Sequence, residues 1–175
     1  MKIPEGIIIH NEIPLTEAFI PTRILHREGQ LREIERCLRP VLKNRKGESV
    51  YIYGPSGTGK TVLMKWILES YFESNSAYVN CWRYRRSNEV LKEILLDLRI
   101  PFKTSESTST LLERLEEGIK RQQIIVCLDE VDQLKEFDVL YWLSLPRVTF
   151  VLISNKPPSF LFSLDQRIRS RLAIT

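Results

Sequence analysis

Val50-Tyr51-Ile52-Tyr53-Gly54-Pro55-Ser56-Gly57-Thr58-Gly59-Lys60-Thr61 decides the fold. Its first four residues are β-branched or aromatic and read as a short buried strand. Its last eight satisfy the phosphate-loop pattern G-x-x-x-x-G-K-[ST]. Glycines there let backbone N–H groups close around phosphates where a side chain would block the approach. Lys60 is placed to reach the β- and γ-phosphates, and the Thr61 hydroxyl to ligate Mg²⁺. A helix predicted over 60–72, with Leu63, Trp66, Ile67 and Tyr71 on one face, turns its positive N-terminal end toward the same point. The cofactors implied are ATP or ADP with Mg²⁺.

Outward from this loop, strands and helices alternate. Apolar runs at 77–81, 123–128 and 148–154 read as strands. Helical spacing marks 28–45, 88–99, a segment opened by Thr110 and Glu113 at capping-box distance, 136–144 and 165–172. Pro40 should bend or restart the first helix. Such alternation predicts a parallel sheet covered by helices on both faces. Residues 1–27, with Pro4, Pro14 and Pro21, read as an extended N-terminal segment laid over a core of residues 28–175.

The run Ile124-Ile125-Val126-Cys127-Leu128 ends in Asp129 and Glu130. At the carboxyl end of a parallel strand both acids would lie beside the phosphate loop, where α/β sheets place ligands. Asp129 is suited to hold Mg²⁺ and Glu130 to polarise an attacking water. Asn155 closes the apolar run Val148–Ser154. It suits contact with the γ-phosphate or that water, and equally suits the opening of a turn before Pro157-Pro158.

Composition bounds the remainder. With 43% hydrophobic and 27% charged residues the chain reads as an ordinary globular domain. No apolar run approaches the ~20 residues of a membrane helix. The N-terminus lacks a signal-peptide layout, so a cytoplasmic location without membrane contact is expected. Cys37, Cys81 and Cys127 show no metal or disulfide spacing. A net charge of +4 is compatible with nucleic acid and does not demand it. Arg83, Tyr84, Arg85 and Arg86 form a basic-aromatic cluster suited to weak, salt-sensitive contact with DNA phosphates, with Lys103 a further candidate.

With these pieces in order, the chain resembles the AAA+ superfamily, and within it the archaeal initiators related to the origin recognition complex and the cell-division-cycle loader. The resemblance rests on IPTRILHRE (20–28), VYIYGPSGTGKT (50–61), VNCWRY (79–84), IVCLDEVD (125–132), ISN (153–155) and LDQRIRSRL (164–172). It implies a P-loop NTPase fold, a three-layer α/β/α sandwich, and an ATP-hydrolysing switch in DNA replication. It gives Walker A to Gly54–Thr61 with Val62 following, Walker B to Asp129 and Glu130, and the sensor-1 position to Asn155. It places Ile20, Pro21, His26 and Arg27 near the adenine. Arg167 and Arg171 fall where a neighbouring subunit can receive an arginine finger. Other initiator or AAA+ subunits are therefore expected partners, and a nucleoid association is expected if DNA is bound.

Departures qualify that expectation. The chain stops at Thr175, before the lid with its sensor-2 arginine and before a winged-helix domain. Polar residues replace a usual glycine near 103–109. Two alternatives therefore stand beside the ATPase switch. One is a non-enzymatic relative acting as decoy or partner of full-length initiators. The other is a STAND-like or other AAA+ ATPase unrelated to replication. Without a further strand, the Val50–Tyr53 strand is expected at a sheet edge, which invites association.

Overall fold

Strands made of unbroken apolar residues need cover on both faces, and two helix layers supply it. The computed structural model describes residues 27–172, the side chains of Arg171 and Leu172 excepted. Four parallel strands, β1 (Val50–Tyr53), β2 (Ser76–Asn80), β3 (Ile124–Asp129) and β4 (Val148–Ser154), lie in the order β1-β4-β3-β2. β3 and β4 sit centrally and are buried along their whole length. Register sets Asn80 opposite Asp129 and Tyr53 opposite Ser154, so the strand ends that bear polar residues share one edge of the sheet.

One face carries α1 (Glu28–Leu38) and α2 (Lys60–Tyr71). There Ile34, Leu38, Met64, Ile67 and Phe72 pack on Cys127, Val151 and Ile153. The opposite face carries α3 (Ser87–Asp97), α4 (Thr108–Gly118), α5 (Asp138–Trp142) and α7 (Gln166–Leu172). Leu91, Leu95, Leu115, Leu140 and Ile168 pack there on Val126, Phe150 and Leu152. A short α6 (Ser159–Phe162), not read from the sequence, sets Phe160 and Leu161 against that core. Each fully buried Leu or Phe contributes roughly 1.5–3 kcal/mol of burial. The expected three-layer α/β/α sandwich is thus the observed one.

Local chemistry explains the joints. α1 ends at Leu38, and Pro40 redirects the chain into a 3₁₀ turn, Arg39–Lys43. Asn44, in the left-handed region (φ 52°), closes it. Its side chain accepts from the Gln123 N–H at 2.7 Å, which ties this turn to the start of β3. The cap of α4 differs from the sequence reading. Ser107 caps it, its hydroxyl accepting from Thr110 N–H, so Thr110 already lies in the first turn. Polar residues were abundant there, and spacing to Glu113 favoured the wrong one.

The two outer strands are finished differently. On β2, the Asp97 carboxylate accepts the Tyr78 N–H at 2.8 Å and occupies an edge donor. β1 pairs only with β4 among the described residues, as expected of its edge position.

Candidate functional site

The phosphate loop joins β1 to α2 and forms at the shared polar edge of the sheet. Gly57 and Gly59 have φ of 77° and 79°, a region that glycine enters without strain. Gly59 is the N-cap of α2, so the N–H groups of the first turn, Lys60-Thr61-Val62, have no acceptor within the helix, and such a helix end suits an anion. Thr58 braces the curve from within, its hydroxyl donating to the Pro55 carbonyl at 2.8 Å.

Lys60 turns back into the loop rather than out to solvent. Its ammonium donates to the carbonyls of Gly54 at 2.8 Å and Pro55 at 2.9 Å, and to Asn155 Oδ1 at 3.0 Å. Its three donors are thereby matched by three oxygens. Across the cleft Asp129 is 2% exposed. Its Oδ2 accepts the hydroxyls of Thr61 at 2.6 Å and Tyr78 at 2.7 Å, and its Oδ1 accepts the Glu130 N–H at 2.8 Å. Glu130 adopts φ 52°, ψ 45°, which breaks β3 sharply and sends the chain away after the carboxylate pair. A non-glycine residue held there carries backbone strain of about 1–3 kcal/mol.

Ser56 through Val62, Asp129, Glu130 and Asn155 line one cavity of about 260 Å³. A second cavity of about 560 Å³ opens between α1 and β1, lined among others by Arg27, Tyr53, Gly54 and Pro55. Thr58 and Lys60 line both, so the two spaces meet at the loop. Their joint size falls in the range of small-molecule sites. Arg27 anchors the junction, its guanidinium donating to the Thr58 carbonyl. Ile20, Pro21 and His26, expected near the adenine, lie outside the described residues.

The donors suit a hard cation. Thr61 donates its proton to Asp129 yet keeps lone pairs free, and Asp129 is a buried carboxylate beside it. Among the described residues no cluster of three or more His, Cys, Asp or Glu could hold a metal by itself. A site with one hydroxyl and one carboxylate fits Mg²⁺ completed by water and phosphate oxygens.

Other candidate residues are placed elsewhere. Arg167 lies on α7 beside Asp138, Tyr141 and Trp142, and is paired with Asp165 at 3.2 Å. Hydrogen bonding to Asp165 raises its pKa further. Arg171 belongs to the same helix, and its side chain is outside the description. In the basic cluster, Arg85 is not a free phosphate ligand: its Nε donates to the Gln133 carbonyl at 3.0 Å and its guanidinium lies over the Trp82 ring. That bond ties the segment after β2 to the segment after Asp129. Arg83, Arg86 and Lys103 are exposed.

Tyr78 and Trp82 were missed in the sequence. Tyr78 pairs with Cys127, two residues before Asp129 on the neighbouring strand and on the same face. A tyrosine at that diagonal is long enough to reach the carboxylate. Trp82 is 61% exposed and lines a shallow space with Asn80, Glu130, Gln133 and Asn155.

Comparison with known proteins is consistent with this geometry. Residues 43–172 match a family model described as AAA domain. The chain belongs to the AAA domain family. It is 33% identical over 169 residues to ORC1-type DNA replication protein 1 of Halobacterium salinarum, covering 90% of this chain and 54% of that one. It is 30% identical to ORC1-type DNA replication protein 1 of Sulfolobus acidocaldarius, covering 97% and 47%. Among solved structures, Cdc6p from Pyrobaculum aerophilum superposes with a TM-score of 0.76 at 25% identity, covering 93% of this chain and 47% of that one. The Aeropyrum pernix ORC1 protein in complex with DNA gives 0.72 at 28% identity, covering 92% and 46%. This AAA domain therefore spans about half the length of the curated relatives it matches.

Proposed function

We propose that this AAA domain binds ATP with Mg²⁺ and hydrolyses it slowly, as a nucleotide switch of the replication-initiator type. One observation carries the reading. Lys60, Thr61, Asp129, Glu130 and Asn155 arrive from three separate elements at one cavity lined by the phosphate loop.

In this reading the phosphates displace the Gly54 and Pro55 carbonyls from Lys60, whose ammonium then neutralises the β- and γ-oxygens. The α2 N-terminus adds partial positive charge at the same place. Thr61 and Asp129 would hold Mg²⁺, which when bound neutralises charge on the phosphates. Glu130 orients and deprotonates the attacking water, and Asn155 orients the γ-phosphate or that water. The larger cavity between α1 and β1 takes base and sugar, with Arg27 at its threshold.

Support for a replication role comes from the ORC1-type relatives, since the geometry above serves any ATPase of this fold. Exposed Arg83 and Arg86, with Lys103, offer weak phosphate contacts to DNA. Arg167 would have to leave Asp165 before it could serve a neighbouring subunit's nucleotide. A cytoplasmic location follows from the same role.

The test is nucleotide content of the purified chain, then hydrolysis with and without DNA. Glu130→Gln should retain nucleotide and lose turnover. A parent protein that binds nucleotide and never hydrolyses it leaves a binding partner rather than an enzyme. A parent protein that binds none overturns the proposal.

A further inference from the structure

We propose that Tyr78 is a positioning residue for Asp129, fixing the carboxylate from which the site governs its divalent cation. The inference rests on the phosphate-site reading above and adds a group outside the loop and acidic-pair motifs.

Tyr78 is held from three sides. Its N–H is taken by Asp97 at 2.8 Å, its strand is paired to β3, and the Lys65 ammonium lies 4.9 Å from its ring centroid. Lys65 stands one helical turn beyond Thr61 on α2, and the half-buried ring packs on the α2 side of the sheet. The hydroxyl meets Asp129 Oδ2 at 2.7 Å.

The consequence concerns rotation of the carboxylate. A terminal carboxylate torsion is broad and roughly two-fold, so Asp129 has no strong preference of its own. The Glu130 N–H fixes Oδ1, while Oδ2 is shared by Thr61 and Tyr78. Thr61 is the group expected to turn its lone pairs to the cation. Tyr78 is the donor that does not change task, and so keeps Oδ2 in place whether or not a cation is present. Outer partners of this kind orient the inner ligands and are worth about 10–100-fold in metal affinity.

The experiment compares the full 175-residue chain, Tyr78→Phe, Asp129→Ala and the double variant. Each is titrated with Mg²⁺ at a fixed concentration of fluorescent ADP analogue, and affinity for the analogue in EDTA is measured separately. Thermal melts report folding, which loss of one hydroxyl from a half-buried ring leaves intact. Y78F should raise the Mg²⁺ midpoint about tenfold, leave the EDTA affinity unchanged, and add nothing on the Asp129→Ala background, where no acceptor for the hydroxyl remains. An unmoved midpoint in Y78F overturns the proposal. So does an equal shift on both backgrounds, which marks a general structural effect. If the parent chain binds no nucleotide at all, the phosphate-site reading itself has failed. A parent that binds with Mg²⁺ while Y78F matches it removes Tyr78 alone.

Discussion

Lys60 on the first turn of α2 donates to Asn155 at the end of β4, across 3.0 Å and 95 residues of sequence. The bond links the loop that would hold the phosphates to the strand end that would face the γ-phosphate. Asn155 is therefore more than the opening of a turn. Asn155→Ala should slow hydrolysis about a hundredfold, the cost of removing one aimed polar group from a reacting centre. Nucleotide affinity should change far less. Equal loss in both would show that Asn155 serves the ground state.

Lys60→Ala removes the charge at the centre of the loop. Charge-assisted hydrogen bonds are worth about 1.5–3 kcal/mol each. Affinity for ATP by equilibrium fluorescence should fall by about one to two orders of magnitude.

Gly47 carries the link between the 3₁₀ turn and β1. Its N–H donates to the Thr149 hydroxyl at 3.0 Å. A Cβ there would stand 2.8 Å from the Cys37 carbonyl and 3.1 Å from Thr149 Cγ2. Backbone cannot swing aside as a side-chain tip can. Gly47→Ala should cost about 1–3 kcal/mol by denaturant titration.

Ser107 and Thr110 separate a true cap from a near miss. Ser107→Ala should destabilise by about 1 kcal/mol, and Thr110→Ala by clearly less. Reversal of that order would restore the capping box expected from spacing alone.

Glu106 and Arg114 pair through two hydrogen bonds of 2.6 Å. The Arg114 hydrogen bond holds the Glu106 pKa below the usual glutamate range. A depressed carboxylate stabilises the fold above its unfolded value, near ~4.3. That stability is lost as pH falls through the lower folded value. Melting temperatures of Arg114→Leu and parent should therefore differ at neutral pH and converge in acid.

Much of this architecture was legible because its signals are local. The phosphate loop, the acidic pair and the central strands announce themselves through glycine spacing, charge at a strand end and unbroken apolar runs. Lys60, Thr61, Asp129, Glu130 and Asn155 meet where the strand ends demanded. Tyr78 was invisible because its role depends on register, and the pairing of Tyr78 with Cys127 is a property of two strands together. Arg85 misled for a similar reason. Its sequence neighbours are basic, while its actual partner, Gln133, is 48 residues away. Ile20, Pro21 and His26, which the resemblance assigned to the adenine, lie outside the described residues.

All three thiols of this chain are buried: Cys37 on the last turn of α1, Cys81 just past β2 and Cys127 in the middle of β3. Burial raises the pKa of each, most at the sheet, so little thiolate exists to react in the native state. Alkylation by a small reagent thereby becomes a clock with two hands. The sheet cysteines count global openings, and Cys37, which lines the larger cavity, counts excursions of α1. Nucleotide added to the tube should slow the second hand without requiring any label to be engineered.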